Sequence, residues 1–223
     1  MNGDCPPIQG VIFDLDGTLI DSLEDIALSM NAALESMGYA PHPIDDYRYF
    51  VGEGIQHLVE CAIPPEHRQP DDVERFLAYY RKVYRESWNQ RTEVYPGIAA
   101  FLDRCRQAGL HIGVLSNKPH DITLDCVRHF LPDWPWSPVY GQRDEVPRKP
   151  DPTVALEIAA GWELPPQAIA FVGDTAVDMD TARHAGMRAV GVTWGFRPEQ
   201  ELREHQADFI ASDTDQLWEA IRS

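Results

Sequence analysis

The sequence predicts an α/β fold in which a parallel β-sheet core carries an inserted all-helical domain. From about residue 93 onward, short β-rich runs alternate with helical stretches, a pattern typical of right-handed βαβ units. An earlier strand signal, Val11-Ile12-Phe13, is separated from these units by a stretch with helical periodicity only. We therefore expect two domains: a Rossmann-like α/β core (residues 1–20 and 93–223) and a helical domain (residues 21–92).

Two long helices are predicted within the inserted segment. Apolar residues at helical spacing run from Leu23 to Met37, and Ser22 with Asp25 three residues later predicts a capping box at the helix start. A second apolar stripe runs from Val73 to Trp88. The segment contains no strand signal, which is why we treat it as a separate helical unit.

The core elements follow one another in regular alternation. The predicted strands cover residues 111–115, 139–140, 169–172, 189–192 and 208–211. The predicted helices cover residues 98–108, 121–131, a stretch beginning at 151, a stretch ending near 186, and 214–221.

Charge excludes several classes of partner. The 223 residues include 36 acidic and 19 basic side chains, for a formal net charge of −17. Nucleic acids and anionic membrane surfaces are disfavoured, because both are bound through clustered lysine and arginine. No apolar run approaches the roughly 18 residues of a membrane helix, and Met1 to Pro7 lack the features of a signal peptide. We expect a cytoplasmic protein without membrane or nucleic-acid partners, either a monomer or a homodimer.

The cysteines indicate no metal or redox site, whereas two of the lysines indicate a functional role. Cys5, Cys61, Cys105 and Cys126 form no C-x-x-C pair, so neither a zinc site nor a redox motif is predicted. Only three of the 19 basic residues are lysines. Two of these, Lys118 and Lys149, lie in proline-containing turns. Since lysine offers a compact point charge where arginine offers a broad fork, these positions favour a functional role.

Polar residues follow three of the predicted strands. Asp14 and Asp16 follow the first strand, Ser116 the second and Asp174 a later one. In open α/β sheets ligands bind beyond the carboxyl ends of the strands, so these side chains should converge there.

Carboxylates gathered in this way need a counter-charge. Two unit charges 4 Å apart repel by about 4 kcal/mol at an effective dielectric constant of 20. A cation between them removes that repulsion, and ligands that are all oxygen favour Mg²⁺. Lys149 and Ser116 could then contact the phosphate group of a substrate.

Four segments follow one another along the chain: Asp14-Leu15-Asp16-Gly17-Thr18-Leu19, Val114-Leu115-Ser116-Asn117, Lys149-Pro150 and Gly173-Asp174-Thr175-Ala176-Val177-Asp178. They resemble the motifs of the haloacid dehalogenase superfamily and occur in that superfamily's order. The resemblance implies a phosphatase with the fold predicted above, in which the helical insert is the cap domain.

The resemblance also implies roles for individual residues. Asp14 would be the nucleophile that becomes an aspartyl-phosphate, and Asp16 the general acid and base. Mg²⁺ would be bound by the Asp14 carboxylate, the Asp16 backbone carbonyl and Asp174. Substrate contacts are expected from Thr18, Gly52, Gly54, Ser116, Asn117 and Lys149. Asp178 and Lys118 are expected to contact the ligand-binding residues rather than the ligands themselves. Asp178 would act on Lys149 or on a metal-bound water.

Three shorter segments are similar to those of phosphoglycolate phosphatases. They are Ser116-Asn117-Lys118-Pro119, Val51-Gly52-Glu53-Gly54 and Val192-Thr193-Trp194-Gly195. The expected substrate is therefore a small phosphate ester, 2-phosphoglycolate.

Other functions within and beyond this chemistry stay open or are disfavoured. A sugar-phosphate phosphatase, a phosphomutase and a non-catalytic regulatory module are the alternatives. Asp16 disfavours a dehalogenase, which lacks the second carboxylate. A phosphonate hydrolase needs a lysine early in the cap, whereas Lys82 comes late.

Overall fold

The central sheet consists of six parallel strands in a computed structural model that describes residues 6–222. The strands of the described residues are β1 (Gly10–Phe13), β2 (Ile20–Asp21), β3 (Glu93–Val94), β4 (His111–Pro119), β5 (Val139–Gln142), β6 (Ile169–Gly173), β7 (Arg188–Val192) and β8 (Phe209–Ala211). Strands β2 and β3 form a separate pair, and the other six form the central sheet. The sheet order is β5-β4-β1-β6-β7-β8, and every neighbouring pair is parallel. This confirms the predicted α/β class with a Rossmann-like core.

Helices connect the strands and cover both faces of the sheet. They are α1 (Leu23–Ser36), α2 (Tyr47–Phe50), α3 (Ile55–Ala62), α4 (Pro70–Ser87), α5 (Ile98–Gln107), α6 (His120–Phe130), α7 (Thr153–Gly161), α8 (Ala176–Ala185), α9 (Glu199–Glu204) and α10 (Thr214–Arg222). Short 3₁₀ turns occupy Ile44–Asp46, Pro65–His67 and Pro166–Ala168.

Strand β1 lies at the centre of the sheet and is buried on both sides. Val11 and Phe13 pack into one apolar cluster, whereas Ile12 packs into the other, because successive strand residues point to opposite faces. Parallel strands covered on both faces read as continuous apolar runs, which explains the strength of this sequence signal.

The inserted segment departs from its predicted details in two ways. Its ends are joined by a short antiparallel pair, β2 with β3, which the sequence analysis missed because two-residue strands are too short to show alternation. The predicted capping box is wrong. Ser22 donates its hydroxyl to Asp16 instead, and Asp25 accepts backbone hydrogen bonds from Arg91 and Thr92.

The structure also describes three of the cysteines and the length and apolar character of the helices. Cys61, Cys105 and Cys126 are free thiols, whereas Cys5 and the rest of residues 1–5, which bear on the signal-peptide prediction, lie outside the described residues. Within residues 6–222, none of the helices combines the length and apolar character required to cross a membrane.

Candidate active site

The carboxyl ends of the central strands bring the predicted polar residues together. Asp14 directly follows β1, Asp174 directly follows β6, and Ser116 lies within β4. Because β1 lies between β4 and β6, Asp14 is the central residue of the three. Its backbone N–H donates to Val172 of β6 at 2.9 Å, which fixes where the side chain begins.

Three carboxylates form a compact buried cluster at this edge. One oxygen each from Asp14, Asp174 and Asp178 lies within 4.8 Å of the others. Lys149 contacts two of the three, with its Nζ 2.9 Å from Asp14 Oδ1 and 2.6 Å from Asp178 Oδ1. One ammonium therefore faces three carboxylates, which leaves the cluster with excess negative charge.

Burial, together with this excess charge, raises the pKa of two of the acids. Burial raises the pKa of Asp14 to about 6; Lys149 opposes the rise, and Asp178 and Asp16 add to it. Burial, then Asp178 and Asp14, hold the pKa of Asp174 well above its usual range. Burial works against the charge of Lys149, but Asp14 and Asp178 outweigh it and raise the pKa of this lysine.

These donors fit a hard divalent cation. All are oxygens, and Asp14 Oδ1 is buried without an aligned hydrogen bond from any described residue, although Lys149 lies beside it as an ion pair. Such oxygen-only sites suit Mg²⁺ or Ca²⁺ better than softer metals. A divalent ion would supply the positive charge that a single lysine does not.

Asp174 accepts hydrogen bonds from the loops that follow β1 and β7. Its Oδ1 accepts from the Thr18 hydroxyl at 3.2 Å, and its Oδ2 accepts from the Phe196 N–H at 2.7 Å. Gly17 has a φ of +85°, and a Cβ at this position would collide with the Asp174 carboxylate. A glycine is required at position 17 so that the loop after β1 can approach Asp174, which follows β6.

Asp16 takes part in a hydrogen-bond network with Lys118 and Ser22, and Asp14, Asp174 and Asp178 are not its partners there. Lys118 Nζ donates to its Oδ1 at 2.9 Å and its Oδ2 at 3.0 Å, and Ser22 donates to Oδ1. Lys118 Nζ also donates to the hydroxyl of Tyr84 on α4 at 2.8 Å. Lys118 is therefore in direct contact with Asp16, closer to the expected chemistry than the sequence analysis placed it.

Two residues predicted to contact the substrate make hydrogen bonds within the protein. Thr18 is fully buried, and its hydroxyl donates to Asp174. Asn117 lines the cavity, but its amide is engaged by the protein. It donates to Gly52 O at 3.0 Å and Lys149 O at 3.1 Å, and it accepts from Lys149 N at 2.9 Å. Asn117 thus ties the helical insert to the segment that carries Lys149.

A cavity of about 500 Å³ opens above Asp14 and Asp16. Gly52, Gly54 and Ser116 line it, as predicted for substrate contacts. Lys149, Asp174 and Asp178 lie behind Asp14 instead, outside this lining, where their contacts act on the cluster.

Several residues at this site were missed by the sequence analysis. Tyr84 was assigned to an apolar stripe, and Ser22 to a helix cap. Arg143 also lines the cavity. Arg197 donates to Val51 O at 3.0 Å, which links the loop after β7 to the insert. The segment Val192-Thr193-Trp194-Gly195 pointed towards this loop, but no pattern distinguished Tyr84, Ser22 or Arg143.

Comparisons with known proteins agree with this geometry. The sequence profile of the haloacid dehalogenase-like hydrolases matches residues 11–192. A phosphoglycolate phosphatase of Nitrosospira multiformis is 31% identical over 221 residues, covering 97% of this chain and 95% of its own length. One from Cereibacter sphaeroides is 34% identical over 223 residues, with 96% and 98% covered.

Among solved structures, a protein of Lactobacillus delbrueckii subsp. bulgaricus has a similar fold. It superposes with a TM-score of 0.90 at 27% identity, covering 98% of this chain and 100% of its own. Its description as a phosphoglycolate phosphatase is itself a prediction.

Proposed function

The chain belongs to the haloacid dehalogenase-like hydrolases and is a phosphatase of that family, and from this premise we propose that it is a magnesium-dependent phosphomonoesterase acting on 2-phosphoglycolate. The observation that carries the proposal is the placement of Asp14. Its carboxylate lies at the foot of the cavity, beside Lys149 and within an oxygen-only cluster with Asp174 and Asp178. The names of the relatives at 31% and 34% identity support the choice of substrate.

Mg²⁺ would be held by Asp14, Asp174 and the backbone carbonyl of Asp16, with Asp178 close by. When bound, the ion neutralises the carboxylates and draws charge from the phosphoryl oxygens. Lys149 lies outside the cavity lining but beside Asp14, so its ammonium would contact the phosphoryl group once that group is bonded to Asp14, and Asp178 holds the ammonium in place. Ser116, whose Oγ accepts from Lys118 N at 3.2 Å, keeps its hydroxyl hydrogen for a second phosphate oxygen.

In the first step an Asp14 oxygen attacks phosphorus. The bond between Asp14 and phosphorus forms as the bond from phosphorus to the ester oxygen breaks. Asp16 is in its acid form at this step and gives its proton to the departing oxygen, so glycolate leaves as the alcohol and the resulting Asp16 carboxylate is paired with Lys118.

In the second step water attacks the phosphorus of the aspartyl-phosphate. Asp16, now a carboxylate, takes the proton from this water. The bond from phosphorus to Asp14 breaks, which releases inorganic phosphate and restores both aspartates.

The helical segment 21–92 acts as the cap in this proposal. Three hydrogen bonds support the assignment, because each joins the insert to the core: Asn117 to Gly52 O, Arg197 to Val51 O and Arg48 to Gly195 O. These contacts close the cavity over Asp14 and limit the access of bulk water.

The test is release of phosphate from p-nitrophenyl phosphate and from 2-phosphoglycolate, with Mg²⁺ or with EDTA. We expect release only with metal, and loss of release in Asp14→Asn. Asp133→Asn is the matched control, since Asp133 is exposed and lies outside the cavity lining. Metal-independent release, or full activity in Asp14→Asn, contradicts the mechanism.

A panel of phosphate esters tests the substrate separately. The cavity volume of about 500 Å³ is large for a two-carbon ester and favours a sugar phosphate as the second candidate. Equal or higher kcat/KM with sugar phosphates overturns the choice of 2-phosphoglycolate and leaves the phosphatase chemistry intact.

A further inference from the structure

Tyr80 on α4 presents a hydroxyl to the cavity that the chemistry described above does not use. The side chain is only 3% exposed and lines the cavity above Asp14 and Asp16. Within residues 6–222 its hydroxyl has no hydrogen-bond partner, and yet this oxygen is not sealed off by protein atoms, so it faces the cavity. A buried tyrosine hydroxyl normally finds a partner, and an unmet one inside a binding cavity indicates a ligand.

Packing of the helical insert accounts for the ring of Tyr80 but not for its hydroxyl. The ring belongs to the larger apolar cluster and lies nearly parallel to the ring of Tyr84, with centroids 5.5 Å apart and an interplanar angle of 12°. The two residues are four apart on α4, which places them on one face of the helix. Phenylalanine would fill the same space without an unmet polar group. The packing therefore does not require the hydroxyl.

The neighbouring hydroxyl of Tyr84 is already engaged, because it accepts from Lys118 Nζ at 2.8 Å and Lys118 in turn holds Asp16. Tyr80 makes no such contact, although the same two charges act on it. Burial and Tyr84 raise the pKa of Tyr80 well above its usual range, Lys118 opposes the rise, and Asp16 adds to it. Tyr80 thus lies near the reacting end of the cavity and keeps its hydrogen at neutral pH, which makes it an available donor.

Apolar side chains from the two neighbouring helices line the same cavity as Tyr80. They are Ile26 on α1 and Leu58 on α3, and neither side chain offers a donor or an acceptor. Helices α1 and α3 both pack on α4, and the three side chains belong to one apolar cluster. A substrate oxygen that enters between these helices loses its hydration, which is costly unless a protein group replaces the water. The Tyr80 hydroxyl can replace it.

We propose that Tyr80 is a specificity-determining residue, whose hydroxyl donates a hydrogen bond to an oxygen of the leaving group, the part of the ester that departs from phosphorus. The site then selects esters whose leaving group carries an acceptor oxygen over esters of plain hydrocarbons. A site built around a hydrogen bond strongly rejects analogues that lack the bonding atom. This inference rests on the proposed function for the position of the reacting phosphate at Asp14. Tyr80 selects among esters and takes no part in the transfer of the phosphoryl group.

The experiment compares esters of equal size in which carbon replaces oxygen in the leaving group. One pair is 2-hydroxyethyl phosphate with propyl phosphate, and the other is 2-phosphoglycolate with isobutyl phosphate. For each pair the ratio of kcat/KM, oxygen-bearing ester over hydrocarbon ester, is measured in the wild type, Tyr80→Phe and Tyr84→Phe. We expect Tyr80→Phe to lower the ratio by about fivefold or more for at least one pair, as the loss of one hydrogen bond implies. Tyr84→Phe should lower kcat for all the esters alike and keep both ratios.

Tyr79→Phe is the matched control for the loss of a phenolic hydroxyl. Tyr79 lies on the same helix but is 39% exposed and outside the cavity lining, so this variant should retain the wild-type ratios. Thermal unfolding checks the fold of each variant. Because Tyr80→Phe keeps the ring and removes an unmet polar group, its Tm should be no lower than that of the wild type.

A binding measurement separates this inference from the proposed function. Dissociation constants of the same esters are determined by calorimetry for Asp14→Asn and for Asp14→Asn/Tyr80→Phe, which do not depend on turnover. If the wild type releases no phosphate but binding still favours the oxygen-bearing esters through Tyr80, the role of Tyr80 stands and the proposed function fails. If phosphate is released and Tyr80→Phe leaves both ratios within twofold, or if Tyr84→Phe or Tyr79→Phe lowers them equally, the role of Tyr80 is overturned. Absence of both release and preference overturns both.

Discussion

Lys118 Nζ lies 2.9 and 3.0 Å from the two carboxylate oxygens of Asp16, and this ion pair is buried at the cavity floor. Burial opposes the charge of Lys118, but Asp16 and Tyr84 outweigh it and raise the pKa of this lysine. Because Tyr84 belongs to the helical insert, the network joins the proposed cap to the residue expected to move protons. Asp16 is therefore held by Lys118, which the helical insert in turn contacts through Tyr84.

Replacing Lys118 with methionine should impair proton transfer more than binding. The variant leaves Asp16 and Tyr84 without their shared donor, so kcat should fall by up to about 10²–10⁴-fold, the usual contribution of general acid–base catalysis. KM should change little, since Lys149 and Ser116 keep the phosphate contacts. Tyr84→Phe should also lower kcat with little change in KM, but by a smaller factor. Steady-state kinetics measure both constants.

The exposed Lys82 on α4 supplies the control for that experiment. Lys82→Met makes the same chemical change outside the network and should retain wild-type kinetics. A kcat within twofold of wild type in Lys118→Met would show that Asp16 does not depend on this contact.

The carboxylate cluster should make the metal-free protein less stable as pH rises. A carboxyl whose pKa is raised on folding binds more protons in the folded than in the unfolded state. Stability is then fully present below the unfolded pKa and is lost as pH rises through the folded pKa. Asp14, with a pKa of about 6, and Asp174, whose pKa is raised by burial and by the neighbouring acids, both act in this direction.

Asp174→Asn should therefore raise Tm relative to wild type in EDTA, and more at pH 8 than at pH 5. Asparagine keeps an oxygen for Phe196 N–H but carries no charge. Thermal unfolding at the two pH values measures the difference, and addition of Mg²⁺ at pH 8 should raise the wild-type Tm. A lower Tm for Asp174→Asn at both pH values would mean that its hydrogen bonds outweigh the repulsion.

Mg²⁺ affinity should weaken as pH falls through about 6. The ion needs the ionised form of Asp14, whose pKa is about 6 because of burial, so protons and metal compete for the same oxygens. Titration calorimetry from pH 5 to pH 8, without substrate, should give weaker binding at the acidic end and release of protons on binding. An affinity independent of pH over this range would place the ion elsewhere.

The parallel direction of the strands made part of this site predictable from sequence. Asp14, Ser116 and Asp174 follow or end apolar runs, and parallel strands deliver their carboxyl ends to one edge whatever the distance along the chain. Tyr84 and Arg143 lacked such a rule. Tyr84 contacts Lys118, 34 residues away in sequence, because of how α4 packs on the core. Its spacing from the other apolar residues of α4 is that of any buried helix residue. Ser22 was misread because a serine before a helix is usually a cap, whereas here Asp16 competes for its hydroxyl.

Gly17→Ala should be more damaging than the same change at another glycine with positive φ. Gly17 (φ +85°) and Gly38 (φ +79°) both occupy the left-handed region, where alanine is strained by roughly 1–2 kcal/mol. A Cβ at Gly38 meets nothing within 4 Å, whereas one at Gly17 collides with the Asp174 carboxylate. Urea denaturation and phosphatase activity of the two variants separate the shared backbone cost from the contact. We expect both variants to lose stability but only Gly17→Ala to lose metal affinity and activity, because its Cβ displaces a carboxylate that the ion requires. Equal activity in the two variants would show that the loop after β1 can shift without moving Asp174.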